Sequence, residues 1–453
     1  MPFIRKIKKR SGTYLALVES KRVNGKPRQH TIKYLGKEVE GKMVKRISTA
    51  DMRVTSVRRH LDVEIIDHLA NELGLKQLLP TNSLVLVYSQ LLERPSINKM
   101  EQWLNETDIL ETLKLEKIST SQLYEALEQL QDIDFSKAEE SIAHIFSSHE
   151  AKRALVIDVT DTYFEGESFD EEPRRGKDGK VRKLLQVAIA VSEKWGFPIF
   201  HRTFDGNITG SKLFRDMLGT LATLGYSGVI LDRGMYSTKN IEDMLVLKLK
   251  MICGVIRNEG FNRILQGVDK QKLYRKENRI TLRNTHVYST SLDYLGGRLV
   301  VVYNPYAEVV KRERLYDSGG VDEEAVFLGF SLIYHNTGMA DSEVVRRYFD
   351  KDVVERAFRQ MKGVLSLRPV RVWLRSHVEA HVKVCYVAYA ILSLLQYRLS
   401  SSGMQVSAVE ALDVLRTGYR VELKDQTNGF EWDALVELTS EQEKIRHVVY
   451  KNR

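Results

Sequence analysis

Three acidic residues stand in settings that ask for an explanation. Asp158 interrupts the apolar run ALVIDVTDTYF, and Asp232 closes the run GVILD just before Arg233 and Gly234. An ionised carboxylate among apolar strand residues is costly to bury without a partner. The two-residue period of a strand puts Asp158 and Thr160 on one face and Asp161 on the other. Ligands of open α/β sheets gather at the carboxyl ends of strands, where Asp232 would lie. Each aspartate also has an ordinary explanation: Asp158 could accept backbone hydrogen bonds, and Asp232 could cap the next helix. The third acid, Glu355, lies in YFDKDVVERAFRQMK. On one unbroken helix, Tyr348, Lys351, Glu355 and Lys362 fall at about 0°, −60°, −20° and −40°. Val354, Phe358 and Met361 line the neighbouring stripe. A stripe of one acid, two lysines and a tyrosine suits a site that holds a metal and grips phosphate. A solvated face with a Lys351–Glu355 ion pair explains the charges but not the tyrosine.

Other acids compete for these roles. Asp161 is on the wrong strand face, Asp205 sits in the turn-like FDGN, and Asp350 lies about 140° from Glu355 on the same helix.

The segments that would position these acids follow an α/β rhythm. After Arg153 come ALVIDVTDTYF, the charged loop EEPRRGKDGKVRK, and then LLQVAIAVS and FPIFHRTF as a hairpin. TGSKLFRDMLGTLATL has helical period, GVILD reads as a buried parallel strand, and a helix and the strand MICGVIR follow. The order β-β-β-α-β-α-β predicts a mixed α/β sheet. Residues 260–335 return to strand character, and 341–366 and 375–399 are helical in pattern. VCYVAYAILSLL is too short to cross a bilayer and reads as a buried helix.

Ahead of this core lie two different regions. Residues 3–35 alternate as short strands, with Asn24-Gly25 as a hairpin turn, and predict a small β-meander. Residues 55–150 have helical period throughout. The formal net charge is +9, and residues 1–47 hold fourteen basic and three acidic residues, or +11, which leaves −2 for the rest. So concentrated a positive charge points to nucleic-acid phosphates more than to a merely solubilising surface. The two cysteines, Cys253 and Cys385, exclude a disulfide framework and a zinc cluster. The basic start MPFIRKIKKRSG lacks the apolar stretch of a signal peptide, so a cytoplasmic protein with no membrane partner is expected.

The pattern Y-x2-[R/K]-x3-E-x6-K over Tyr348, Lys351, Glu355 and Lys362 resembles the signature of IS4-type DDE transposases of insertion sequences. Lys351 stands where that signature usually has arginine, which gives up bidentate phosphate recognition. RKIKKRSGTYLALVES, HTIKYLG, DVTDTYFEGE, QVAIAVSEKWGFPIFHRTFDGNITGSKLF, GVILDRGMYS and ERAFRQMKGVLSLRPVRVW resemble the IS1634-like branch. So does SHVEAHVKVCYVAYAILSLL. Together they cover nearly the whole chain.

The resemblance implies an α/β fold: an RNase H-like catalytic core with a β-rich insertion, preceded by a basic β-meander and a helical domain. It implies a catalytic and metal-binding triad of Asp158, Asp232 and Glu355, with Asp158 bridging two Mg²⁺ ions about 3.5–4 Å apart; Mn²⁺ could substitute. Tyr348, Lys351 and Lys362 would contact DNA. The implied activity is cleavage at the ends of an insertion sequence and strand transfer into target DNA. The implied partners are double-stranded DNA, both transposon ends and target, and a second copy in a synaptic homodimer near a prokaryotic nucleoid. A catalytically inactive DNA-binding derivative, or a metal-dependent nuclease without strand transfer, is the alternative. The expected domains are 1–50 (β-meander, DNA contact), 51–150 (helical, DNA binding or dimerisation), 151–256 (core), 257–340 (β-rich insertion), 341–400 (core helices with Glu355) and 401–453 (helical tail).

Overall fold

In the computed structural model of the chain, residues 1, 10–11, 24–25, 40–41, 45–51, 164–172, 176–178, 207, 284, 320, 322–324, 369–371, 373, 427–429 and 452–453 lie outside the described structure. The Asn24-Gly25 turn and much of the charged loop after Tyr163 are therefore outside it as well.

The chain divides into two compact units, Met1–Arg59 with Gly418–Leu438, and His60–Thr417 with Thr439–Arg453. In the first unit, β1 (Phe3–Lys9), β2 (Gly12–Val23), β3 (Lys26–Val39) and β4 (Lys42–Val44) form an antiparallel meander, with β2 and β3 paired out to Val23 and Lys26. This is the predicted basic meander. Ala16 and Val18 are buried on one of its faces. Cross-strand register puts Ile4, Lys6, Lys8 and Lys33 on the other. A further strand, β5 (Met52–Arg59), completes the N-terminal part of this unit, so the region predicted helical from residue 51 begins instead with a strand, held by its pairing with the distant segment 419–425.

The second unit begins with helices α1 (Leu61–Glu72), α2 (Leu75–Leu78), α3 (Thr81–Leu92), α4 (Ile97–Leu104), α5 (Ile109–Thr112), α6 (Thr120–Asp132) and α7 (Ser136–His149). The hydroxyl of Ser119 and the side chain of Gln122 cap the start of α6 reciprocally. The sheet follows: β6 (Ala154–Tyr163), the short pair β7 (Arg174–Arg175) and β8 (Val181–Arg182), then β9 (Leu184–Ser192) and β10 (Pro198–Asp205). Next are α8 (Gly210–Leu224), β11 (Gly228–Leu231), α9 (Thr238–Val246) and β12 (Lys250–Val255). α10 (Glu259–Gln266), α11 (Lys270–Leu273), β13 (Arg279–Leu282), β14 (Thr285–Tyr294), β15 (Gly297–Tyr303), α12 (Pro305–Asp317) and β16 (Phe330–His335) make up the following stretch.

Among the described residues the main sheet has nine strands in the order β10-β9-β6-β11-β12-β16-β15-β14-β13. β6, β11 and β12 run parallel, and the others pair antiparallel. The first five strands have the order of an RNase H-like core, as the fold class anticipated. β13–β15 do not stand apart from it: they extend the same sheet through β16. Leu185 and Val187–Val191 are fully buried, which explains the near-continuous apolar run of β9.

The closing helices are α13 (Asp341–Phe349), α14 (Asp352–Arg359), α15 (Arg375–Ser401), α16 (Ala408–Leu415) and α17 (Ser440–Tyr450), with β17 (Tyr419–Asp425) and β18 (Glu431–Leu435) between the last two. The segment 401–453 was expected to be helical throughout. Two of its elements are instead strands, because β17 pairs with β5 on one side and β18 on the other.

α15 is long and apolar enough to cross a membrane, but 83% of its most apolar stretch is buried inside the fold. An all-round apolar helix needs partners on every side. α1, α3 and α6 supply them on one side and β10 on another. The N-terminal helices thereby share a core with α15. Cys253 and Cys385 are free and buried, as the sequence suggested.

Candidate active site

β6 and β11 bring the two aspartates together. Leu231 pairs with Ile157 in parallel register, so Asp232 follows at the level of Asp158 on the adjacent strand. Adjacent strands are about 4.8 Å apart. The Val159 amide donates to Asp158 Oδ1 at 2.7 Å. Asp158 is half-buried, and the Asp232 side chain is 43% exposed.

The helix bearing Glu355 packs on β6 and β9 through Val353, Val354, Ala357 and Phe358. It is not the unbroken helix that the stripe geometry assumed. α13 ends at Phe349, the chain turns through Asp350 and Lys351, α14 runs to Arg359, and a π turn covers Gln360–Val364. Arg283 clamps the break, with Asp350 at 3.2 Å and Asp352 at 3.1 Å. The π turn adds residues to the last turn, so Lys362 does not keep its computed angle.

Three members of the predicted stripe nevertheless meet. Tyr348, Lys351 and Glu355 line one cleft of about 910 Å³ together with Asp232. Lys362 lies outside that lining and donates to the hydroxyl of Thr160, two residues along β6 from Asp158. Thr160 and Asp158 share a strand face, so Lys362 reports that this face is the one turned to α14 and the π turn.

Lys351 is the electrostatic centre of the cleft. Its ammonium donates to Asp232 Oδ1, lies 3.4 Å from the Tyr348 hydroxyl, and stands 4.5 Å from the centre of that ring. Burial pushes the Asp232 carboxyl up, but the hydrogen bond and charge of Lys351 outweigh it and hold the group below the usual carboxylate range. Burial acts to lower the Lys351 ammonium, and Tyr348 and Asp232 outweigh it in the other direction. Tyr348 is only 8% exposed, and burial raises its phenol. The tyrosine therefore supports the lysine from beneath.

Its seat requires a glycine. A Cβ at Gly254 of β12 would overlap the Tyr348 hydroxyl and stand 2.9 Å from its Cζ. A glycine inside the apolar run MICGVIR was the signal available in the sequence for this close approach. Arg233, Arg257 and Lys311 line the same cleft, and no sequence pattern assigns them a place in it. They come from three separate segments, so no local pattern joins them. Arg257 is fixed by donating to the Phe327 carbonyl at 2.7 Å.

Two of the competing acids, Asp205 and Asp350, are held by other partners. Asp205 pairs with Arg375, and Asp350 with Arg283. Asp205 also lies on the edge strand β10, separated from β11 by β9 and β6.

Carboxylate oxygens opening on a cleft are suitable donors for a hard divalent cation. Among the described residues, however, no group of three or more His, Cys, Asp or Glu side chains is drawn close enough to hold a metal ion. Asp158 and Asp232 are neighbours on adjacent strands, while Glu355 is an exposed side chain that lines the same cleft as Asp232. The cleft joins the carboxylates of Asp232 and Glu355 with four basic residues, Arg233, Arg257, Lys311 and Lys351, which suits a phosphodiester.

A family model described as transposase DDE domain matches residues 149–391, a stretch that contains Asp158, Asp232 and Glu355. A second, described as IS1634 family transposase, N-terminal domain, matches residues 4–52. Comparison with curated protein sequences finds no match. Among solved structures, the chain is similar to a cryo-EM structure of the piggyBac transposase synaptic complex with hairpin DNA. The two are 12% identical with a TM-score of 0.42, over 79% of this chain and 78% of that one.

Proposed function

The chain belongs to the transposases with a DDE catalytic domain, and from that premise we propose that it cleaves DNA at the ends of its insertion sequence and transfers the freed 3′-hydroxyls into target DNA. The observation that carries this reading is the parallel register of β6 and β11. It sets Asp158, midway along β6, level with Asp232, just past the carboxyl end of β11, and Asp232 lines the same cleft as Glu355.

In this reading Asp158, Asp232 and Glu355 hold divalent metal, with Mg²⁺ as the ion and Mn²⁺ able to replace it. The chemistry supplied by bound metal is activation of the attacking oxygen and stabilisation of the leaving oxygen in an in-line displacement. Glu355 stands on an exposed helix face, so packing does not fix its rotamer. Lys351 and Lys362 hold phosphates of the transposon end. Tyr348 holds Lys351 in place, a supporting role rather than the direct phosphate contact expected from the sequence. The lysine face of the β-meander binds the duplex backbone through Lys6, Lys8 and Lys33. Two ends must be joined in one event, so the working form is a homodimer on DNA, acting in the cytoplasm at the nucleoid.

The test incubates the full chain with a duplex carrying the element's own terminal sequences and Mg²⁺. Wild type should cleave and yield strand-transfer products. Asp158→Asn, Asp232→Asn and Glu355→Gln should each bind the duplex without cleaving it. Cleavage that survives any one substitution removes that residue from the site. Cleavage with no joined product would make the protein a nuclease. Binding with no cleavage by wild type would make it an inactive DNA-binding derivative.

A further inference from the structure

The end of the helix that carries Glu355 is held by its own backbone, through Leu365 N–H to Gln360 O at 3.0 Å and Leu367 N–H to Met361 O at 2.8 Å, and beyond that by side chains. The last carbonyls of any helix lack partners within it. Here the carbonyls that follow the π turn are taken one after another. Arg94 donates to Val364 O, and Gln90 Nε2 donates to Leu365 O at 2.6 Å. Cys385 Sγ lies 3.4 Å from Leu365 O. His381 Nε2 is 3.3 Å from Ser366 O, where its N–H form donates. The Thr162 hydroxyl donates to Leu367 O at 2.9 Å. Three elements thus converge on four successive carbonyls: the end of α3, strand β6 and helix α15.

Arg94 bears a cost for its part. It sits just past α3 with φ +56°, and its amide bonds to Ser89 O at 2.8 Å. This left-handed position after a helix favours glycine, because an L side chain is crowded there. Gln90 and Arg94 both lie outside the stretch 149–391 that matches the catalytic family model.

We propose that Gln90 and Arg94 are positioning residues of the active site. By holding the Leu365 and Val364 carbonyls they set the π turn, and through it Lys362 and the Glu355-bearing α14, against the strand of Asp158. The proposal rests on the roles assigned above to Glu355 and Lys362. It makes the helical region before the catalytic core a part of the catalytic apparatus.

The test uses the full-length chain with Gln90→Ala, Arg94→Gly and Arg94→Lys. Amide hydrogen exchange over 360–367 should quicken by about tenfold or more in the first two variants, with α15 unchanged. Arg94→Lys, which keeps a donor, should stay near wild type. Arg94→Gly relieves the backbone, so its melting temperature should hold or rise. A residue that merely stabilised the fold would show the opposite. On the terminal duplex with Mg²⁺, single-turnover cleavage at saturating DNA should fall by about 10²-fold in Gln90→Ala and Arg94→Gly, with DNA affinity unchanged. Wild-type exchange over 360–367 in both variants, or wild-type cleavage in both, would overturn the proposal. If wild type itself does not cleave, the reading of Glu355 and Lys362 fails, and the exchange data still decide whether Gln90 and Arg94 hold the turn.

Discussion

Gly254→Ala is a one-methyl perturbation with a large expected effect. The added Cβ would overlap the Tyr348 hydroxyl, stand 2.9 Å from Tyr348 Cζ and 3.2 Å from Arg233 Cβ. Favourable carbon contacts begin at about 3.5 Å, so the ring must retreat by roughly 0.5 Å at Cζ and further at its hydroxyl. β12 cannot yield easily, since Gly254 pairs with Ile333 of β16 inside the sheet. Tyr348 cannot yield freely either, being buried with its ring edge-on to Phe349 at 5.4 Å. Overpacking of this kind costs about 1–3 kcal/mol. The displaced hydroxyl also leaves Lys351, so end cleavage should fall beyond what the loss of stability explains. The assay is a double-mutant cycle in urea with Tyr348→Phe, which deletes the atom that meets the new methyl first. The alanine should cost less in the phenylalanine background, with a coupling of at least about 0.5 kcal/mol. A Gly254→Ala protein as stable as wild type, or strictly additive effects, would refute the account of how Lys351 is seated.

Other consequences follow from the same geometry. Lys362→Ala should weaken binding to the terminal duplex and lower the slope of log affinity against log salt by about 0.9, as loss of one phosphate contact requires; an unchanged slope would remove Lys362 from the DNA. Hydrogen bonds that His60 donates to Asp108 and then Glu64 raise it to about 9, so its contribution to stability is full below its ordinary value of 6.5 and is lost as pH rises through about 9. The stability gap between wild type and His60→Gln, no more than about 3 kcal/mol, should therefore close between these limits in urea titrations. A gap that widens with pH would reverse the assignment. Arg398 is 3% exposed, pairs with Glu72 and donates to the Val449 carbonyl. Arg398→Ala should cost about 1–3 kcal/mol by leaving the buried Val449 carbonyl without its donor and free α17 to exchange amide hydrogens, and wild-type exchange over α17 would remove Arg398 from its anchoring.

Much of the site was legible one segment at a time, because the signals were local anomalies. A charge inside ALVIDVTDTYF and another closing GVILD are conspicuous without any knowledge of the fold. The clustering of positive charge in residues 1–47 and the apolar run that became α15 are equally local. The stripe of Tyr348, Lys351 and Glu355 was found by assuming one helix, and these residues do line one cleft although the helix breaks between them. The break depends on Arg283 from a distant hairpin, and the side chains that hold the π turn come from α3, β6 and α15. No window around Glu355 contains them. The segment 401–453 read as helical because β17 is a strand only in the company of β5, more than three hundred residues earlier. Residue types and their spacing thus determined which groups could do chemistry and which stretches must be buried. The meeting of Asp158 with Asp232, the glycine seat of Tyr348 and the anchoring of α14 were decided by strand register and by side chains from remote segments, since hydrogen-bond pairing and close packing act between surfaces that only the folded chain brings together.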